Sequence, residues 1–156
     1  QRQMCIRDRT CVDLFEEISE KSPQLIEKTL SGLVEKTITP QKQCEDGVCM
    51  ANKLRKDETL IDWSKSAEEI HNLVRGIYKF PSAYFMYNNK VIKVLETRIV
   101  REQGNCGELI QLTKEGIKVG CGKDCIMLVK VKPEGKGEMF ARDWANGHNV
   151  RCCTLL

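Results

Sequence analysis

Between Ser66 and Val100 the apolar residues change from helical to alternating spacing, and that switch limits the chain to a mixed α+β fold. Ala67, Ile70, Leu73, Val74 and Ile77 follow one another at steps of three, three, one and three, forming one stripe on an α-helix. Ser66 and Glu69 open that helix as a capping box, each side chain taking up a backbone N–H that the first turn leaves unpaired. Pro81 closes it, because the residue before a proline is pushed out of the helical region. Residues 83–87, the pair Asn88-Asn89 and residues 91–100 then read as a β-hairpin, since asparagine tolerates the positive φ of a two-residue turn. Further short strands are expected at 107–112, 117–121 and 125–132, separated by Lys-Glu-Gly and Gly-Lys-Asp turns. Five short antiparallel strands with close turns predict a small open antiparallel β-barrel, OB-like, with a helix ahead of it, over residues 53–147. A last short helix is expected over 136–145 with Gly147 as its stop, and residues 148–156 form a tail without a readable pattern.

The region upstream is of another kind. Residues 1–9 have no period and hold three arginines; they read as a non-native extension on a gene fragment truncated at its 5′ side, and carry no weight for the fold. Over 10–36, Val12, Leu14, Phe15, Ile18, Leu25, Ile26, Leu30, Leu33 and Val34 recur at helical spacing, with Asp13, Glu16, Glu17 and Glu20 on the other face. Pro23 predicts a break at 21–23, with Ser22 as N-cap of a second helix that runs to Glu35. So narrow an apolar face does not fold alone, which implies helices built to pack on a body outside this chain. Residues 37–52 lack a stripe, contain Pro40 and the turn pair Asp46-Gly47, and read as a linker.

At 156 residues, 41% hydrophobic and 30% charged, the chain can bury a core and is no disordered tail. Its longest apolar run, 126–131, is interrupted by Lys130, far short of the ~18 residues of a membrane span, so a soluble protein with no membrane partner is expected. Nine cysteines without a signal-peptide pattern favour a reducing cytosol over a secreted disulfide scaffold. Charge is uneven: residues 1–52 carry 7 basic and 9 acidic residues, net −2, while 53–156 carry 18 and 13, net +5. A basic excess in a small barrel suits a polyanion, and equally suits a solvated surface.

Catalytic and metal chemistry find little support. Cys44 and Cys49, Cys121 and Cys125, and the adjacent Cys152-Cys153 make no paired Cys-x2-Cys knuckles, and His71 and His148 stand at no ligand spacing from them, so no metal is expected. Cys121 and Cys125 are read as small hydrophobes beside a tight turn, the tail pair as exposed, and His71 as a boundary residue of its helix. Asp62 and Asp143 can be imagined as general acid/base partners, but Asp62, ahead of a helix, is explained by the helix dipole without catalysis, and Gly120 to Lys123 lie in a hairpin rather than in a phosphate-cradling loop. The basic residues left as a candidate binding set are Lys53, Arg55, Lys56, Arg75, Lys79, Lys90, Lys93 and Lys136, with Arg75 and Lys79 four apart on one helix face.

These residues sit inside a recognisable pattern. Lys53-Leu54-x-Lys56-x-Glu58-x-x-Ile61-Asp62-Trp63-Ser64, then Ala67-x-x-Ile70, Val74-Arg75-Gly76 and Phe80-Pro81-Ser82-Ala83, resembles the beginning of the C-terminal domain of the methionyl-tRNA formyltransferase family. The resemblance continues through Lys90-x-x-Lys93-Val94, Gly107, Gly116-Ile117-x-Val119-x-Cys121-Gly122 and Pro133-x-Gly135-Lys136-x-x-Met139, covering about 52–147. It implies that 10–36 is the end of a Rossmann-like catalytic domain, 37–52 the linker, and the rest an open barrel that holds initiator methionyl-tRNA through the eight basic residues above. It also implies a monomeric cytoplasmic enzyme of translation initiation that uses 10-formyltetrahydrofolate. The family's catalytic Asn, His and Asp motifs are not among these residues, so this chain is expected to bind without catalysing. One departure bears on binding: Gly137 follows Lys136 where the family usually has another basic residue, which weakens the phosphate contact expected at that turn. Sugar-nucleotide formyltransferases and formyltetrahydrofolate dehydrogenases carry similar domains and are the alternative, beside a non-catalytic binding module of another kind.

Overall fold

A computed structural model describes residues 9–79, 81–148, 150 and 155. The expectations for residues 1–8 and for Cys152-Cys153 lie outside that set. The chain divides into two compact units, residues 12–54 and, together with the first eleven residues, 55–156.

The first unit is one helix and an irregular segment. Helix α1 (Cys11–Val34) is continuous, with Pro23 inside it. This corrects the predicted break. Ser22 is not a cap: its hydroxyl donates back to the Ile18 carbonyl at 2.6 Å, and Lys21 pairs with Glu17 one turn earlier. Good helix formers on both sides carry the helix through a proline whose interior cost is ~3 kcal/mol. The helix ends where Lys36 takes a φ of 59° and Thr37 N–H donates to the Gly32 carbonyl at 2.8 Å. Gly32 is its one buried residue, and a Cβ there would stand 2.5 Å from Ile38 Cδ1. Val12 and Leu14 are half-buried, and from Phe15 onward the apolar stripe stays exposed. After Ile38 there is no regular element before Asp57, only a turn in which Val48 N–H donates to the Glu45 carbonyl across Asp46-Gly47.

The second unit holds the core. Helix α2 (Ala67–Gly76) starts at the capping box, Glu69 N–H donating to Ser66 Oγ and Ser66 N–H to Glu69 Oε2. Ala67, Ile70 and Val74 are buried. The helix ends five residues before Pro81. Lys79 is therefore off the helix, with a φ of 69°, and does not share a helical face with Arg75 as the spacing predicted.

Six antiparallel strands follow: β1 (Tyr84–Tyr87), β2 (Lys90–Val100), β3 (Leu109–Leu112), β4 (Ile117–Gly120), β5 (Cys125–Pro133) and β6 (Met139–Phe140). They form one curled, open sheet in the order β1-β2-β5-β4-β3, with β6 beside β5. Asn88 and Asn89 both take positive φ, 49° and 60°, as a primed two-residue turn requires. Strand β6 was not anticipated, and helix α3 (Ala141–Gly147) begins five residues later than expected, because Met139-Phe140 pairs with Lys130-Val131 before the helix can start. The long β2–β5 ladder bends through register shifts between Val94 and Thr97, which curls the sheet.

Trp63, Phe85 and Trp144 meet edge to face at centroid distances of 5.8 and 5.9 Å, closing the core between α2, α3 and the sheet. Such pairs add ~0.5–1.5 kcal/mol each beyond their buried area. The segment Leu60 to Ser66 is pinned at both ends: Ile61 N–H donates to the Tyr84 carbonyl, and Gly122 N–H in the β4–β5 turn donates to the carbonyls of Trp63 and Lys65. A Cβ on Gly122 would lie 1.8 Å from the Ser64 oxygen, so only glycine permits that approach.

Candidate functional site

Strand register places three side chains in one row across the sheet. Tyr84 on β1 faces Lys93 on β2, and Lys93 faces Lys132 on β5. Phe85, Ile92, Val94 and Val131, the neighbours in sequence, are buried in the core, so alternation turns the row to the opposite face. Like charges directly opposite each other destabilise a sheet, by roughly the 0.2–1 kcal/mol that opposite charges add.

This row borders a cleft of about 430 Å³. Lys56 and Thr59 wall it from the segment before α2, Pro81 and Ser82 from the turn after α2, and Pro133 to Lys136 from the end of β5. Glu134 is the one carboxylate among the described residues lining it, and it is engaged with the backbone, accepting from Val91 N–H at 3.5 Å. Lys56, Lys93, Lys132 and Lys136 form no ion pair with a described residue. Lys130, two places along β5, differs: Glu96 holds it at 3.1 Å, and that hydrogen bond raises its pKa. A smaller hollow of about 130 Å³ shares Pro133, Glu134 and Lys136 with the cleft and adds Lys90.

Of the eight basic residues expected from sequence, four therefore come together: Lys56, Lys90, Lys93 and Lys136. The others do not. Arg55 is paired with Asp57 at 3.1 Å, and Arg75 is held by Asn72 Oδ1 at 2.9 Å and by the Arg9 carbonyl at 3.2 Å. Lys79 lies over the Tyr78 ring, 5.4 Å from its centroid, and Lys53 belongs to the other unit. Lys132 was missed. Its signal was present in the alternation Val129-Lys130-Val131-Lys132, which turns both lysines to one face, but nothing local says that Lys93 stands opposite.

Four groups that could do covalent or acid–base work are buried or engaged elsewhere. Burial, followed by the nearby Cys125, pushes the Cys121 thiol up to about 12, so it packs as a hydrophobe as expected. His71 is half-buried, its Nδ1 2.8 Å from Thr97 Oγ1, and desolvation followed by the Arg75 charge lowers its pKa. The Asp62 carboxylate accepts from the hydroxyl and the N–H of Ser64, at 2.6 and 3.0 Å, and these bonds hold its pKa below the usual value. That local turn, rather than the dipole of α2, accounts for Asp62. Asp143 pairs with Arg142 at 3.1 Å. Among the described residues no group of three or more His, Cys, Asp or Glu is placed to hold a metal ion. What the cleft offers is ammonium groups beside an aromatic ring and apolar walls, which is chemistry for holding an anion.

Comparison with known proteins bears on the family rather than on the cleft. The family described as formyl transferase, C-terminal domain, matches residues 53–149. Methionyl-tRNA formyltransferase of Clostridium perfringens strain 13 is 36% identical over 149 residues, covering 94% of this chain and 48% of that protein. The enzyme of the same name from Magnetococcus marinus is 33% identical over 138 residues, covering 88% and 44%. This chain thus spans about half the length of the curated relatives it matches. Among solved structures, a multiply substituted variant of HypX from Aquifex aeolicus aligns with a TM-score of 0.70 at 13% identity, over 94% of this chain and 26% of that one. The same protein in complex with tetrahydrofolic acid aligns at 0.68.

Proposed function

The chain belongs to the formyl transferase C-terminal domain family, and from that premise we propose that it is the C-terminal part of a methionyl-tRNA formyltransferase, the part that holds initiator methionyl-tRNA. In this reading residues 10–36 close a Rossmann-like catalytic domain, 37–52 link it to an OB-like barrel, and the formyl group passes from 10-formyltetrahydrofolate to the methionyl amine on the catalytic portion. The enzyme works in the cytoplasm as a monomer. None of the cleft residues is assigned to the folate.

The observation that carries the reading is the pair Lys93–Lys132. Two lysines held face to face, with Lys56 and Lys136 beside them and the single cleft carboxylate, Glu134, in no ion pair with any of the four among the described residues, cost the fold stability that a bound phosphate restores. Lys90 extends the basic rim, while Arg55, Arg75 and Lys79 contribute longer-range field rather than contacts in the cleft, and Lys53 lies on the other unit. Each lysine is a point charge that positions RNA and reads little sequence.

The test is binding of the 156-residue chain to tRNA as salt rises. Four or five neutralised phosphates give a log–log slope of about −3 to −4. A flat response, or no gel retardation at low salt, overturns the proposal in favour of a scaffold module without an RNA partner. Formyl transfer by this chain alone is expected to be undetectable.

A further inference from the structure

The row that places Lys93 opposite Lys132 also contains Tyr84, and a clamp for phosphates alone does not require an aromatic ring there. Core packing does not require it either. Phe85 and Tyr87 on the same strand are committed to the core, Phe85 fully buried against Trp63 and Trp144, Tyr87 at 5.2 Å from Trp144. Tyr84 is half-buried, takes no part in that cluster, and lines the cleft with Lys93, Lys132 and the apolar rings of Pro81 and Pro133. Adjacent strands lie ~4.8 Å apart, so the two lysines flank one anionic group while the tyrosine stands one strand further along the same row. At about 430 Å³ the cleft is near the small end of the roughly 300–1,000 Å³ of small-ligand sites, room for one nucleotide and too little for a duplex.

We propose that the cleft seats a single unstacked nucleotide of the bound RNA, its base against Tyr84 and the two prolines and its phosphate between Lys93 and Lys132. The inference rests on the RNA-holding reading above and narrows it: this site takes a splayed or single-stranded residue rather than paired stem. In a stem every base is stacked on its neighbours, and the ring of Tyr84 has nothing to receive. Aromatic–base stacking tolerates any base, so the site selects for an unpaired nucleotide and not for its identity. Phe140, 52% exposed and opposite Lys130 in the ladder, gives the same side of the sheet a second ring on which an adjoining base can lie.

The experiment uses the whole chain with three probes: tRNA, a single-stranded RNA of about ten nucleotides, and a blunt RNA duplex of the same sequence. Stacking is worth ~1–3 kcal/mol per base, so Tyr84→Leu is expected to weaken single-strand binding by about fivefold or more while Tyr84→Phe retains it. Duplex binding changes little in either variant. A single strand carrying 5-iodouridine and irradiated with the unmutated protein should crosslink to Tyr84, mapped by peptide mass spectrometry. That second measurement does not depend on a variant folding. If tRNA binds with its steep salt slope but Tyr84→Leu leaves single-strand affinity unchanged, or crosslinks form only elsewhere, the nucleotide site is wrong and the broader RNA reading survives. If neither tRNA nor single strand binds, both fail.

Discussion

Helices α1 and α2 carry similar apolar stripes and meet opposite fates. On α2, Ile70 and Val74 are 1% and 2% exposed; on α1, Phe15 and Leu25 are 68% and 67% exposed. Both stripes follow the helical period, and both helices run through charged outer faces. The difference is that α2 is followed at once by a sheet whose inner face supplies Ile92, Val94 and Leu128, whereas α1 is followed by a segment with no regular element. Periodicity thus states which face needs cover and is silent on whether the same chain provides it.

The largest expected effects separate the two units most sharply. Trp144→Ala empties the centre of the aromatic cluster and should cost ~3–5 kcal/mol in urea unfolding followed by tryptophan fluorescence, while Phe15→Ala on α1 stays within ~0.5 kcal/mol. Equal losses at the two sites would mean that the stripe of α1 is covered within this chain. Next comes Gly122→Ala, which drives a methyl group into the Ser64 oxygen and should destabilise the second unit by ~1–3 kcal/mol. Wild-type stability in that variant would show that the Leu60 to Ser66 segment can move aside at little cost. Ser66→Ala removes one half of the capping box and is expected to cost ~1 kcal/mol, read as a shift in denaturation midpoint with unchanged slope.

The smallest effect is on pH dependence, and it concerns the second unit. Asp62 and Glu69 are held below their ordinary 3.8 and 4.5, chiefly by hydrogen bonds from Ser64 and Ser66, so the folded form binds fewer protons than the unfolded one. Their stabilisation is complete above those ordinary values and fades as pH falls through the lowered ones. His71, depressed from 6.5 chiefly by burial, works in the same direction, so stability begins to decline below pH 6.5. His71→Asn should flatten the upper part of that decline and Glu69→Gln the lower part. A stability curve unchanged in either variant would remove the corresponding hydrogen-bonded group from this account.

How legible the molecule was depends on the range of the interactions involved. The capping box, the stripe of α2 and the Asn-Asn turn rest on residues close together in the chain, and their order and spacing announce them. Strand β6 escaped notice because two residues are too few for an alternating pattern; only the partner Lys130-Val131 makes Met139-Phe140 a strand. Pro23 misled because the proline cost is local while the propensity that overcomes it is summed along α1.

The sequence by itself determined the α+β class, most element positions and the excess of lysine and arginine after residue 53. It did not determine which cations share a site. That was decided when β2 paired with β5 and brought residues 93 and 132, distant along the chain, into one row, while Arg55 and Arg75 found local partners and Lys79 left its helix. Local propensities act through neighbours in the chain, and register between distant strands is set by burying Ile92, Val94 and Val131 on one face, which fixes Tyr84, Lys93 and Lys132 on the other.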